Sequence, residues 1–464
     1  MTLSHICFAD DILVLCHGDE KSVIVVKKSL DEFSQVSGLF PNLNKSTIFF
    51  GSVPAHIQGK IINILPFTIG NLPMKYLGVP LLAKRLSISD CKCLIDKIKA
   101  KVYNWKNRKL SYAGRLQLVA SVLSSMQIYW MSVYILPSGV IEEIERCLKC
   151  FLWSQSDNCR GKAKVAWKDV CIPKNQGGLG LKSLKEWNVV LVIKNLWRIL
   201  TQKDSLWGKW VNVVKLNGES IWDTVGDYKD SWGWRHLMNL RQKVYPHVDV
   251  AMVNGEEVIK WIANDGNKVE FSTKQVWNDL RSNRNVVNWY HVICFKSFDP
   301  KHAFVLWLAM LNRLNTQDRV QKWLPNQVLK CPFCSQEPDS ISHLFFLCKY
   351  SAEIWKSMKS KLIFKGLTGK LQEIVQRLAM YPFTCKIWNI VNRLVLAASV
   401  YYLWQERNFR IFKHKKRSVE ELIEVINSFI RLKLLLVRVK CSDAVLKVAS
   451  LWGLIWINNR YSLN

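Results

Sequence analysis

The sequence predicts an α+β fold that is predominantly α, on three observations. A short apolar stretch near the start, His5 to Cys16, is interrupted by Asp10 and Asp11 and reads as a β-hairpin. From Ser87 onward apolar residues recur at helical spacing, which argues for packed amphipathic helices. In the C-terminal third, Cys331, Cys334, His343 and Cys348 form a Cys-x2-Cys-x8-His-x4-Cys set, the mark of a small metal-organised module in a largely helical context.

In the hairpin, Ile6 to Ala9 lies on one side and Ile12 to Leu15 on the other, so the tight turn presents Asp10 and Asp11 at a sheet edge. Adjacent acids there have two readings. Asp is common in solvated turns for local hydrogen-bonding reasons, and paired carboxylates also hold the divalent metals of nucleotidyl transfer. A helical stretch follows, with Val26, Leu30 and Phe33 in register, closed by Ser37-Gly38-Leu39. Thr47 to Phe50 is strand-like, and Met74 to Pro80 follows a loop. The next helix places Leu94, Ile98 and Val102 on one face with Ile95 and Trp105 beside it. Its lysines 92, 97, 99 and 101 fall elsewhere. A second helix carries Leu116, Val119, Leu123, Met126 and Trp130 in a three-four repeat. A third runs from about Val140 to Trp153 after the break at Pro137-Ser138-Gly139.

Gln176-Gly-Gly-Leu-Gly180 is glycine-rich, yet it lacks a Gly-Lys-Ser/Thr ending and a preceding β-run. It therefore reads as a turn and not as a phosphate loop. Residues 187–295 are tryptophan-rich. Trp interleaved with Lys and Arg can stack bases, but the commoner use is closing small helical cores, which is the reading for most of them. Asp265-Gly-Asn267 predicts a hairpin, with a helix starting at Ser272. The tail from 386 is helical and basic. Ser418-Val-Glu-Glu421 is a capping box, and the preceding run Arg410 to Arg417 reads as a nucleic-acid contact, a nuclear-import signal or a solvated loop. No four-carboxylate set on alternating strands occurs in the tail, against a ribonuclease H domain there.

Sixty-six Lys and Arg against 36 Asp and Glu give a net charge of +30, which implies a polyanionic partner. A membrane is not that partner. The run Leu394 to Trp404 is too short to span and is flanked by Arg393 and Glu406. No signal-peptide pattern precedes Phe8, and the 14 cysteines lack the even spacing of a disulfide framework in a short secreted chain. The class these numbers allow is reduced and intracellular, nuclear or cytoplasmic, and not secreted.

The four-residue metal set stands apart from other cysteine pairs. Cys147 and Cys150 sit mid-helix, and Cys91 and Cys93 have no further partner in sequence. Cys331, Cys334, His343 and Cys348 gather three thiolates and an imidazole in a compact window, a closed structural zinc shell. Asp339 is the expected cap of a helix starting at Ser340. Five residues of continuous helix turn about 500°, which would point His343 and Cys348 roughly 140° apart. The helix must therefore end near Leu347, with the next beginning around Ser351.

The order Phe8-Ala-Asp-Asp11, Ser37-Gly-Leu39, Asn42-Leu-Asn-Lys45-Ser46 and Tyr76-Leu-Gly-Val-Pro80 resembles the last palm motifs of plant LINE-type (non-LTR) retrotransposon reverse transcriptases. Trp105-x-x-Arg108-x-Leu-Ser111-x-Ala-Gly114-Arg115 resembles their thumb signature, and the cysteine–histidine module resembles their downstream zinc-binding domain. The resemblance implies a partial palm over 1–85, a helical thumb over 86–155 and a Trp-rich connector over 156–295. A zinc-binding domain over 296–365 and a basic helical tail over 366–464 complete the order. It implies RNA-directed DNA polymerase chemistry with two Mg²⁺ ions. Asp10 would ligate the metals, Asp11 would support them and Lys45 would face the incoming dNTP. Tyr76, Leu77 and Gly78 would grip the primer, and Arg108 and Arg115 would contact the RNA template and DNA primer or duplex. Only nine residues precede Asp10, so the chain reads as the C-terminal portion of such an enzyme, inactive alone. The rival reading is a non-catalytic nucleic-acid-binding protein with a structural zinc module. A third is an unstable truncated product.

Overall fold

The computed structural model describes residues 3–82, 84–106, 110–154, 163–253, 256–320, 330–362, 367, 369–381, 386–440 and 442–455. Helices dominate, and the sheets among the described residues are small: three of two strands and one of three. The fold is α+β and predominantly α. Contacts divide the chain into two units: residues 1–93, 128–137 and 188–279, and residues 94–127, 138–187 and 280–464.

The first unit begins with the expected hairpin. His5–Phe8 pairs antiparallel with Asp11–Val14, Phe8 opposite Asp11, and Ala9 takes a left-handed turn conformation (φ 52°). Ile6 and Leu13 are the half-buried pair, while Phe8, Ile12 and Val14 face outward. Helix Glu20–Ser37 is capped by the Asp19 carboxylate, which accepts from the Ser22 amide at 2.9 Å. It ends where Gly38 turns left-handed (φ 73°). Its buried face differs by one position from the expected register. Val23, Val26, Leu30 and Ser34 point inward, and Phe33 is 58 % exposed. Ser34 is accommodated because its hydroxyl donates to the Leu30 carbonyl at 2.8 Å. The small core beneath joins Val23 to Ile61 and Leu65, with Ile48, Phe50, Val53 and Phe67 around it. Thr47–Ile48 pairs parallel with Thr68–Ile69, a shorter strand than Thr47 to Phe50 suggests.

Later in this unit Val248–Val253, Glu256–Ile262 and Lys268–Val269 form an antiparallel sheet, and the turn at 265–267 is where the sequence placed it. Trp261 is fully buried, stacks on His247 and donates to the Asp279 carboxylate at 2.7 Å. Trp197, Trp234 and Trp277 are also core residues, whereas Trp207 remains exposed. The core reading therefore holds for part of the tryptophan set.

In the second unit, helix Lys92–Lys106 buries Leu94, Ile95, Ile98 and Val102 as its periodicity predicts. It packs on helix Ser138–Trp153 through Trp105 and Phe151, ring centroids 5.9 Å apart, and through a Lys99–Glu143 ion pair at 2.8 Å. The three-four repeat from Leu116 to Trp130 is not one helix. Tyr112–Leu118 runs into a π-helical turn at Val119–Leu123, and a new helix starts at Ile128. The wider turn shifts the register of the apolar face, and Val119 and Leu123 stay buried. The glycine segment is a turn. A Cβ at Gly178 would lie 2.1 Å from the Ile172 carbonyl oxygen, and the Gly177 carbonyl accepts from the Trp307 indole at 2.8 Å.

Buried and exposed apolar positions carry different consequences. Ile98→Ala, at a fully buried site, should cost about 2–5 kcal/mol in denaturant unfolding. Ile12→Thr, at a site 52 % exposed, should change stability by less than about 0.5 kcal/mol and reduce light scattering on concentration. Equal destabilisation by both would contradict this assignment of the core.

Candidate metal centre

The strand-like residues around Cys331 are held by one bridge, Lys330 to Pro338, and by the Cys331 amide donating to the Glu337 carbonyl at 2.7 Å. The Ser335 amide closes the turn onto the Cys331 carbonyl at 2.8 Å, with Ser335 left-handed (φ 58°). This knuckle brings Cys331 and Cys334 to one side. His343 sits in a one-turn helix, Ile341–Leu344, which ends earlier than Leu347. Phe346 then reverses the chain (φ 77°), and Cys348 is the N-cap of helix Lys349–Ser360, two residues before the expected start. The break serves the purpose the spacing required: it turns Cys348 back to the side of His343. Ser351 secures the reversal, its hydroxyl accepting from the Phe346 amide and donating to the Cys348 carbonyl, each at 3.1 Å.

The four donor atoms lie within 4.8 Å of one another. Cys331 Sγ is 3.9 Å from Cys348 Sγ, and Cys334 Sγ is 3.3 Å from His343 Nε2. Zinc–sulfur bonds of about 2.3 Å and zinc–nitrogen bonds near 2.0 Å give tetrahedron edges of about 3.8 Å and 3.5 Å. The donor set therefore fits zinc, and with four protein donors it is a closed, structural kind of site. Cys331 donates to Cys348, which pulls the Cys348 thiol down, while that contact and burial push the Cys331 thiol far up.

Asp339 is not the cap of the one-turn helix. Ser340 is, accepting from the His343 amide at 3.2 Å. Asp339 is fully buried, accepts from the Gln317 amide at 2.9 Å and pairs with Arg407 at 2.6 Å. Arg407 lies on helix Ile387–Phe412, itself 4 % exposed. One residue earlier, buried Glu406 binds Arg410 Nε at 2.9 Å and the Arg417 amide at 2.9 Å. Arg410 donates to the Pro332 carbonyl at 3.3 Å and lies over the rings of Phe333 and Tyr350. The knuckle is thus clamped to the long helix by one buried ion pair, Asp339–Arg407, and by the Arg410 hydrogen bond to Pro332. Sequence reading missed this network. Its visible signal was the cluster Glu406, Arg407 and Arg410 directly after the apolar run Leu394 to Trp404.

The palm-motif residues are arranged differently. Asp10 and Asp11 are exposed at the hairpin turn, and Lys45 is exposed in a turn whose amide bonds Asn42. Among the described residues no hydrogen bond or ion pair joins these three side chains, and no third acid gathers with Asp10 and Asp11. Tyr76 pairs with Val79 across a turn formed by Leu77 (φ 51°) and Gly78 (φ 82°). Arg115 is buried with its guanidinium over the Tyr112 ring. Arg108 lies outside the described residues.

Residues 271–355 match the family described as zinc-binding in reverse transcriptase, and this span contains all four donors. That stretch is reverse-transcriptase-related. The chain is also similar to an Arabidopsis thaliana protein named "Putative ribonuclease H protein", at 31 % identity over 200 residues, 42 % of this chain and 30 % of that one. A second relative, an uncharacterized mitochondrial protein of the same plant, is 26 % identical over 119 residues, 25 % of this chain and 77 % of the relative. The chain thus matches under a third of the length of the first relative. Among the described residues no helix is long and apolar enough to cross a membrane.

Because zinc requires deprotonated thiols and Cys331 is held protonated in its absence, uptake at neutral pH should release roughly two or three protons per ion. Calorimetry in buffers of different ionisation enthalpy measures this, and apparent affinity should rise with pH. Heats independent of buffer would contradict a thiolate site.

Proposed function

We propose that this chain is the palm-to-tail portion of a LINE-type retrotransposon reverse transcriptase, an RNA-directed DNA polymerase, whose zinc module is structural. The observation that carries the reading is the Phe8-Ala-Asp-Asp11 hairpin with both carboxylates displayed at its turn, upstream in the same chain of a reverse-transcriptase zinc-binding match. In this reading Asp10 and Asp11 would supply two of the carboxylates that hold Mg²⁺, whose chemistry would be to offset charge developing during phosphoryl transfer. Lys45 faces the triphosphate, and the Tyr76-Leu77-Gly78 turn supports the primer end. The plant, LINE-type assignment rests on the motif order and on the two plant relatives.

One carboxylate pair does not complete a two-metal clamp, because each ion needs several hard oxygen ligands. The chain alone is therefore proposed to bind primer–template without extending it, with the net charge of +30 supplying a salt-dependent attraction.

Primer extension on an RNA template with Mg²⁺ or Mn²⁺, run beside a binding titration, tests both parts. The expected outcome is binding that weakens steeply as salt rises, with no incorporation of dNTP. Incorporation abolished by Asp10→Ala would show the chain competent by itself. Absence of binding at low salt would remove the nucleic-acid reading.

A further inference from the structure

The loop that ends the long helix is held in place from inside and left bare outside. Helix Ile387–Phe412 is followed by Lys413, His414, Lys415 and Lys416, all exposed, and then by half-buried Arg417. Its backbone is fixed at several points. The Lys413 and Lys415 amides donate to the Phe409 carbonyl, at 3.0 and 3.3 Å. The Arg417 amide donates to buried Glu406, and the Arg417 carbonyl accepts from Arg410 at 3.2 Å and from the Tyr350 hydroxyl at 3.1 Å. His414 takes a left-handed conformation (φ 53°), which turns the chain back toward Glu406.

Charge is sorted by depth in this region. The acids Asp339 and Glu406 lie inside and neutralise Arg407 and Arg410. Among the described residues no carboxylate is within ion-pair distance of Lys413, His414, Lys415 or Lys416. Phe412, 73 % exposed, immediately precedes this run, and the Lys413 ammonium lies 4.5 Å from the centre of the Phe409 ring one helical turn back. Exposed cations on an ordered backbone next to an exposed aromatic ring are the elements of single-strand recognition: ammonium groups track phosphates and the ring stacks a base. A partner that reads an extended basic peptide would need the backbone groups that the fold already uses.

We propose that Phe412–Lys416 is a docking surface for single-stranded RNA or DNA, with Lys413, Lys415 and Lys416 on the phosphates and Phe412 stacking a base. This rests on the nucleic-acid-binding reading above and assigns part of it to the zinc module's own clamp. Arg410 and Glu406 are positioning residues.

The test compares the zinc-loaded full chain with a triple variant, Lys413→Gln, Lys415→Gln and Lys416→Gln. A control removes equal charge elsewhere: Lys21→Gln, Lys27→Gln and Lys28→Gln. The probe is a short oligo(U) RNA titrated across salt, with zinc content and circular dichroism checked for each protein. The loop variant should bind roughly tenfold more weakly, with a log–log salt slope shallower by about 2, since each phosphate contact contributes about 0.7. Phe412→Ala should weaken binding several-fold at unchanged slope. Equal affinity and slope for loop variant and wild type would overturn the proposal while leaving nucleic-acid binding intact. An equal loss in the control would overturn it by showing only a net-charge effect. A wild-type chain that does not bind the probe at low salt would overturn the underlying reading as well.

Discussion

The knuckle between Cys331 and Asp339 has almost no apolar substance of its own. Phe333 is half-buried, and Ser335, Gln336, Glu337 and Pro338 face solvent. Such a segment cannot offset the entropy of ordering its backbone by burial. Two interactions hold it instead: the converging donors Cys331, Cys334, His343 and Cys348, and the buried Asp339–Arg407 pair. Removing one partner of a buried, hydrogen-bonded pair costs about 3–5 kcal/mol, because the other charge is left desolvated. The metal centre and the long helix are consequently one object. The Arg410 bond to Pro332 and its stacking over Phe333 and Tyr350 extend the same attachment.

This coupling gives the zinc a role other than chemistry. A closed shell of four protein donors leaves no position for water or substrate. What the ion can do is fix the knuckle so that Asp339 and Pro332 meet Arg407 and Arg410. Arg410 in turn holds the loop that follows Phe412 through the Arg417 carbonyl. The N-terminal hairpin stands in contrast. Its acids are exposed, and Phe8 and Ile12 are uncovered. A two-stranded hairpin with an uncovered apolar face is marginal in isolation.

Elements whose signal is local were legible in the sequence. The hairpin turn at Asp10, the buried face of Lys92–Lys106 and the Ser418–Glu421 capping box each follow from residues a few positions apart. The four metal donors were legible for the same reason, since a ligand set within one short window needs no knowledge of tertiary structure. The structure departs from the sequence pattern at three places, one of them through a long-range partner. Asp339 has the right type and place for a helix cap, yet Arg407, 68 residues on, claims its carboxylate. Phe33 fits the apolar repeat, but Ser34 sits at the core because its hydroxyl is satisfied within the helix. The π-helical turn at Val119–Leu123 has no marker in a repeat that looks continuous.

The central claim is that the metal centre and the end of helix Ile387–Phe412 order each other through Asp339. Amide hydrogen exchange on the full chain, with zinc present and after chelation, tests it most directly. Chelation should raise exchange over 331–348 and, in step with it, over 406–417, while Lys92–Lys106 and Ser138–Trp153 keep their protection. Loss of protection confined to 331–348, with 406–417 unchanged, would contradict the account.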